Sequence, residues 1–597
     1  MVEPFERATS KFEESEIEKI VERYLKIGAC SRCEKEEGDF ISTVFLVPKK
    51  EGGNRLVINL KPLNKFIHCQ KFKIEDYRCV RNMLSRNDYL CKIDIKDAYF
   101  MIEVHEKDRK FLKFRYEGEL VKFNVLPFGL NIAPRVFTKL LKPVMSILRA
   151  QGFLSVIFID DILVFAGSSV KCIENVTATC KLLRRLGFII NEEKSVLVPQ
   201  QELQYLGFVF NTQKMSISLP SSKRCKIISE IRKTFLSQNL TILKLAELQG
   251  LLVSACPAVP YGQLYTRRLA IFIRDALALG NNDYSSSAHL VSEVSTDLTW
   301  WLNNIKKSEM FIRPDLYSAV IFTDASLTGW GAKIECKDSI KIARGRWTIE
   351  EKAFSINVLE LLAIERALLS LANDREKEQI LLRVDNTTAI AYINRFGGCH
   401  SQSLYEIGKR IWKWCEERSL WLYASYIKSA ENKDADFQSR ILDDNTEWKL
   451  NNIIFGKICE NFGTPDIDLF ASNENKQCDK FVSWFPCPFN FAVDAFTLDW
   501  GTLGFYAFPP FSLIPRVLRK ICHDKAKGIL IVPFWHSQIW YPKFVAMCQS
   551  EIIIFGPERN LLTDPHNCRL HPLWKSLQLA VAVVSGKCLN ENPLLQM

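Results

Sequence analysis

Two adjacent carboxylates, Asp160 and Asp161, stand between the apolar runs Phe153 to Ile159 (FLSVIFI) and Ile162 to Phe165. The runs predict two short strands joined by a tight turn that carries both carboxylates at its tip. Like charges this close repel, so the arrangement is costly unless a cation neutralises it. Hard divalent cations prefer oxygen ligands, and paired Mg²⁺ ions serve in-line phosphoryl transfer. Most Asp-Asp pairs are solvated turns; apolar flanks and a third carboxylate set this one apart. The third is Asp94, which follows the strand-like stretch Tyr89 to Ile93. Between the two lies Leu126 to Pro134 (LPFGLNIAP), a Pro-Gly turn opening a helix through Val136 to about Leu148.

Carboxylate strand, Pro-Gly turn with helix, carboxylate hairpin: this order, from Phe40 to about Phe210, resembles the palm of a reverse transcriptase, closest to retrotransposon and retroviral enzymes. The resemblance implies that Asp94, Asp160 and Asp161 hold two Mg²⁺ ions, with Mn²⁺ able to substitute. One ion activates the 3′-hydroxyl of a DNA primer on an RNA template, and the other holds the incoming dNTP. Asp97, three residues past the matching acid, is not expected to be a ligand. Tyr99 matches the aromatic residue under the incoming sugar, with an ordinary sheet-core aromatic as the alternative. Phe128 and Gly129 match the turn supporting the nascent base pair, and Arg55 matches the fingers arginine that grips triphosphate, bidentately if need be. Asn59 stands where many relatives have Asp, so a supporting ion pair is expected to be missing. Lys49 and Lys50 are basic residues near the fingers tip, neither singled out by spacing. Lys194 matches a lysine proposed as general acid toward pyrophosphate, with a surface salt bridge as an equal alternative. Tyr205, Leu206 and Gly207, followed by Phe208, resemble the primer-grip hairpin.

Downstream, Ser221 to Phe235, Ile242 to Val253 and Tyr261 to Leu279 read as helices with basic faces, the last through Arg267 and Arg268. Their place in the order suits a thumb along a template–primer duplex; a solvated helical face is the alternative. Gly280 to Ala288 reads as a linker, and Trp300-Trp301 as a packing element for the next domain.

A second carboxylate set follows. Asp324 ends a strand, Glu360 sits in a helix of apolar spacing, Asp385 ends the strand Ile380 to Val384, and Asp436 enters a final helix. Four acids from separate elements can converge on two metal ions. This order, over about Ser318 to Arg440, resembles a ribonuclease H domain, which implies two Mg²⁺ ions and cleavage of the RNA strand of an RNA–DNA hybrid. Selection is expected through hybrid shape and 2′-hydroxyls. Where relatives often have His-Ile-Pro-Gly, this chain has Tyr426-Ile427-Lys428-Ser429, so a histidine that assists product release is missing. Asn386 and Ser326 are candidate RNA-backbone contacts, with helix capping an equal reading for Asn386.

The last stretch alternates strands and helices, as expected of a doubly wound α/β domain. Its order resembles the phage-type adenine methyltransferase domain of DIRS-like retrotransposons. In active relatives a polar residue precedes Pro-Pro-aromatic; here Phe508 precedes Pro509-Pro510-Phe511 and offers no hydrogen bond. Asp468 and Asp494 are candidate S-adenosylmethionine contacts, with solvated turn acids as the alternative. Binding of that cofactor and efficient methyl transfer are not expected.

The fold class is therefore multidomain α+β and α/β: a right-hand polymerase (fingers, palm, thumb), a ribonuclease H-like domain and a Rossmann-like methyltransferase-type domain. The boundaries expected are 1–39 for an N-terminal helical extension, 40–212 for fingers and palm, and 213–280 for the thumb. They continue with 281–317 for a connection, 318–441 for the ribonuclease H-like domain and 450–590 for the methyltransferase-like domain. No integrase-type His/Cys cluster follows Arg440 and no aspartic protease motif precedes residue 40, which points to the DIRS-like, tyrosine-recombinase group, the recombinase being a separate product, with caulimovirus-like and gypsy-like polymerases as the family alternatives.

A net charge of +11 suits a polyanionic partner. The 19 cysteines have no framework spacing, and Cys30-Ser31-Arg32-Cys33 has no second pair. Reduced thiols, a charged N-terminus without a signal peptide and no run near the roughly 20 apolar residues of a membrane span imply an intracellular protein, cytoplasmic or nuclear. The reading is a reverse transcriptase with ribonuclease H activity. The rival is a catalytically decayed or host-adopted nucleic-acid-binding scaffold. Oligomeric state is not legible in the sequence.

Overall fold

The computed structural model describes residues 11–48, 52–313, 316–337, 339–440, 448–566 and 568–587, so Lys49 and Lys50 lie outside the described residues. The chain divides into two compact units. The first is Met1–Lys233 with Ser254–Pro260 and Leu302–Arg313, and the second is Thr234–Val253, Tyr261–Trp301 and Pro314–Met597.

In the first unit, the apolar runs around Asp160-Asp161 form the strands Leu154–Phe158 and Asp161–Ala166. They join Tyr89–Asp94 and Val196–Gln200 in a four-stranded sheet, with Tyr89–Asp94 directly beside Asp161–Ala166. Helices Ala133–Ala150 and Ser169–Arg185 bury Phe137, Leu141, Cys172 and Leu183 in the core of this sheet. A second sheet runs Cys30–Cys33, Glu119–Phe123, Lys113–Tyr116, Ile41–Ser42, and a separate hairpin pairs Val44–Pro48 with Asn54–Ile58.

Within the stretch expected as a helical extension (1–39), the described residues from 11 onward contribute to this second core. The helix Lys11–Lys26 buries Val21 and Tyr24 there, with Tyr24 edge-on to Phe100 at 4.9 Å. The strand Cys30–Cys33 pairs with Glu119–Phe123. Residues three apart on a strand face opposite sides, so Cys30 and Cys33 do not share a ligand position. Every cysteine among the described residues is free.

In the second unit, helix Ser292–Asn304 packs on helix Gln402–Glu417. Trp300 stacks on Tyr265 at 4.0 Å and donates to Glu416 Oε1 at 2.8 Å. The buried Asp297 pairs with Lys409 at 3.1 Å. Arg267 and Arg268, expected on a face along a duplex, bond inside the unit to the Arg395 carbonyl and the Glu406 carboxylate. The expected linker at 280–288 is docked: Ile242 and Leu243 donate to the Ser286 and Tyr284 carbonyls.

Residues 319–426 build a five-stranded sheet in the order Ser339–Arg346, Gly329–Cys336, Ala319–Ala325, Gln379–Val384, Trp421–Tyr426. The first three strands run antiparallel to one another, and the last three run parallel to one another. Beyond it lies a seven-stranded sheet: Ala492–Val493, Lys480–Ser483, Ile467–Asp468, Phe505–Ala507, Lys527–Pro533, Leu579–Ser585, Ile553–Phe555. Its first five strands are parallel, and Leu579–Ser585 runs antiparallel to both neighbours. This is a doubly wound sheet with one reversed strand. No helix among the described residues is long and apolar enough to cross a membrane.

Candidate active sites

Strand pairing creates the first site. Asp94 lies directly opposite Asp161 in register, and Phe158 pairs with Asp161, leaving Ile159 and Asp160 as a two-residue turn. Ile159 has φ +56°, a left-handed conformation that is strained for a β-branched side chain. Burial pushes the Asp160 carboxyl up to about 6, with the charges of Asp161 and then Asp94 adding. Burial and Asp161 also raise Asp94, while Asn191, Lys92 and Lys194 oppose the shift. Lys92 Nζ is 2.7 Å from Asp161 Oδ1, an ion pair whose angles fall short of a hydrogen bond. The sheet end thus concentrates negative charge that a cation would relieve.

Around it, the Arg55 guanidinium lies 4.2 Å over the Phe128 ring, and Phe128 packs against Tyr99 at 5.3 Å. Tyr99 also meets Phe137 edge-on, so one ring touches both Phe128 and the core. Gly129 has φ +110°, and a Cβ there would sit 2.5 Å from the Ile58 carbonyl oxygen. Only glycine lets the Pro-Gly turn lie against the strand that carries Arg55. Asp97 pairs with Arg23 at 2.6 Å, away from the other acids. Lys194 is exposed in the turn before Val196–Gln200, and its charge reaches Asp94.

In the expected primer-grip hairpin, Glu202–Tyr205 pairs with Phe208–Asn211, and Leu206 and Gly207 turn at φ +49° and +79°. Tyr205 itself is buried. Three supports left no signal in the sequence. Glu75 accepts the Ile157 N–H at 2.8 Å and pairs with Arg149, Ser195 Oγ accepts the Asp94 N–H at 3.0 Å, and Asn64 Oδ1 accepts the Asn131 N–H at 3.0 Å. Each is an isolated polar residue in a loop or short helix.

The second site lies at the ends of two parallel strands. Asp324 ends Ala319–Ala325, Asp385 follows Gln379–Val384 beside it, and Glu360 enters from helix Ile356–Leu371. One ligand oxygen from each of Asp324, Glu360 and Asp385 lies within 4.8 Å of the others, the one such trio among the described residues. Burial, then Asp324 and Asp385, push Glu360 up to about 9, and its Oε2 is buried without a hydrogen-bond partner. Clustered carboxylates with an unsatisfied oxygen suit a hard divalent cation.

Asp436, the fourth acid expected, stands apart from this trio. Its charge acts on Asp324, but its Oδ1 accepts from Arg440 Nη2 and Nε at 2.6 and 2.9 Å, because residues four apart on a helix face each other. Ser429, in the segment that lacks the histidine, donates to Asp385 Oδ2 at 2.6 Å. Asn386 caps its helix through the Ala389 N–H and bonds Asn357, and Ser326 bonds the Ser439 carbonyl. Both of these expected RNA contacts are thus occupied inside the protein.

At the C-terminal ends of the parallel strands in the last sheet lies a cleft of about 800 Å³. Its walls include Phe508, Pro509, Pro510, Phe511 and Asp494. Asp468 is 2% exposed and accepts the Phe470 and Gln477 N–H groups; burial pushes it up to about 7. Asp494 accepts the Phe496 N–H. Both acids serve their own turns, and Phe508 brings no polar atom to the cleft.

Residues 47–210, which contain the first site, match the family model described as "Reverse transcriptase (RNA-dependent DNA polymerase)". The chain is 23% identical over 344 residues to the genome polyprotein of Petunia vein clearing virus, covering 56% of this chain and 15% of that protein. It is 28% identical over 165 residues to the transposon Tf2-3 polyprotein of Schizosaccharomyces pombe, covering 28% of this chain and 12% of that protein. The chain thus spans about a seventh of these relatives or less. Among solved structures it aligns with the foamy viral protease-reverse transcriptase in complex with dsDNA. That alignment has 17% identity and a TM-score of 0.47, covering 72% of this chain and 85% of that one. The same viral protein with an RNA/DNA hybrid gives 17% identity and 0.45, covering 76% and 58%. The family match defines a reverse transcriptase domain, and the polyprotein matches relate it to those of retroelements.

Proposed function

We propose that this chain copies retrotransposon RNA into DNA and degrades the RNA strand of the resulting hybrid. The observation that carries the reading is the cross-strand pairing of Asp94 with Asp161 beside Asp160, inside the matched domain. Bound Mg²⁺ ions would neutralise these acids and supply Lewis acidity for nucleotidyl transfer. The chain's own groups orient the reactants. Arg55, steadied over Phe128, offers paired donors to a dNTP triphosphate. Tyr99 walls the sugar position, Phe128 and Gly129 support the base pair, and Lys194 is the candidate proton donor to pyrophosphate. The turn at Leu206-Gly207 faces a DNA primer paired to its RNA template.

At the second site Asp324, Glu360 and Asp385, joined by Asp436 once Arg440 releases it, would hold Mg²⁺ for hybrid cleavage. The converging carboxylates and the unpartnered Glu360 oxygen support this reading. The doubly wound sheet with its crevice at the strand ends supports a methyltransferase-like ancestry for the third module, and the order of the three modules supports a DIRS-like element. With Phe508 facing the cleft and both candidate acids engaged locally, the residues do not fit S-adenosylmethionine chemistry. A decayed or host-adopted scaffold is favoured by Phe508 for that module alone.

Primer extension on an RNA template and hybrid cleavage, read in one reaction with Mg²⁺, test the proposal. Asp94→Asn or Asp160→Asn should abolish extension and leave cleavage, and Asp324→Asn should do the reverse. Retention of both activities by these variants would refute the assignment, and hybrid binding without Mg²⁺-dependent turnover would favour the scaffold.

A further inference from the structure

The carboxylate hairpin is under strain and needs an anchor. Ile159 sits at φ +56°, a region worth about 1–3 kcal/mol of strain for an ordinary side chain, which persists only where surrounding structure enforces it. Closing the hairpin in two residues calls for a positive φ there, and the turn keeps it only while both flanking strands are held in place. Beneath the turn lies the phenol of Tyr205, 1% exposed, at the end of the strand Glu202–Tyr205. Its hydroxyl is 3.2 Å from the Val156 carbonyl oxygen and 3.1 Å from the Asp161 carbonyl oxygen. These two residues lie one on each strand of the hairpin and bracket Ile159 and Asp160. The one hydroxyl proton lies within reach of both carbonyls. The next residues along the chain, Leu206 and Gly207, form the half-buried turn proposed to meet the primer.

We infer that Tyr205 is a positioning residue for nucleotidyl transfer, its hydroxyl clamping the Asp160-Asp161 hairpin in its strained metal-binding conformation and joining it to the primer-side turn. The inference rests on the polymerase reading above. Burial, with the charges of Asp161, Glu75 and Asp160, raises the phenol pKa, so the hydroxyl stays a donor at any pH where the enzyme works. Glu75, bonded to the Ile157 N–H, steadies the outer strand of the same hairpin from its open edge.

The test is Tyr205→Phe in the full chain, compared with wild type by primer extension across a Mg²⁺ titration, with hybrid cleavage and thermal melting as internal controls. The clamp predicts a fall in extension kcat of roughly tenfold, the rate equivalent of about one lost hydrogen bond, and a several-fold rise in half-saturating Mg²⁺. Hybrid cleavage and KM for primer–template should be unchanged. 4-Aminophenylalanine at position 205, which keeps a donor in place, should restore both parameters.

Unchanged kcat and Mg²⁺ dependence in a folded Tyr205→Phe chain would overturn the inference. So would an effect confined to KM for primer–template, which would make the residue a primer contact only. A Tyr205→Phe chain that fails to melt cooperatively, beside a 4-aminophenylalanine chain that folds and extends normally, would assign the hydroxyl to stability and also count against it. If wild type itself does not extend primers, the polymerase reading fails instead.

Discussion

Asp160 and Glu360 are acids that burial and like charge hold in a proton-hungry state, and both have measurable consequences. Their folded pKa values, about 6 and about 9, lie above the ordinary 3.8 and 4.5. The folded chain therefore keeps protons that the unfolded chain has released, and this contribution to stability falls as pH rises through each window. In chelator, the melting temperature of wild type should drop from pH 5 to pH 9 more steeply than that of Glu360→Gln. Mg²⁺ should recover the loss at pH 8 and do little at pH 5, which differential scanning fluorimetry would read directly. Primer extension at limiting Mg²⁺ should lose activity as pH falls through about 6, because protonated Asp160 no longer competes for the ion. A flat profile down to pH 5 would contradict that assignment.

Two glycines fix how elements approach each other. At Gly331 a Cβ would meet the Ala435 carbonyl oxygen at 2.3 Å and the Ser439 nitrogen at 2.5 Å, so helix Lys433–Arg440 lies directly on the strand Gly329–Cys336. Gly331→Ala should push that helix away, taking with it Asp436 and Ser439, which donates to Asp324 at 2.7 Å. Hybrid cleavage should fall at least tenfold while extension is unaltered. Gly129→Ala should destabilise the chain by about 2 kcal/mol in urea denaturation, through the left-handed backbone and the contact with Ile58.

The carboxylate hairpin, the helix after the Pro-Gly turn and the alternation in the last module were legible because each is local: apolar period, turn residues, capping residues. The strand Cys30–Cys33 and the internal bonding of Arg267 and Arg268 were not. Their partners lie about 90 and 130 residues away, and a four-residue strand or a basic helix face looks the same with or without them. Arg440 capturing Asp436 sits only four residues off, yet the same spacing serves equally for a surface pair.

The two sites fall in different compact units, one each. Damage to the packing of one unit should therefore reach its own activity first. Asp297→Ala would leave Lys409, 12% exposed, without its partner, which costs about 3 kcal/mol for a buried pair. Hybrid cleavage should show this loss at lower temperature than primer extension. Leu579–Ser585 is the last strand of its sheet to be made but occupies the interior: it pairs with Lys527–Pro533 over seven residues and, among the described residues, is the one strand bonded to Ile553–Phe555. A nascent chain stopped just before residue 579 would thus expose the apolar flank of one strand and strand another. A chain truncated before Leu579 should therefore go to aggregation or proteolysis.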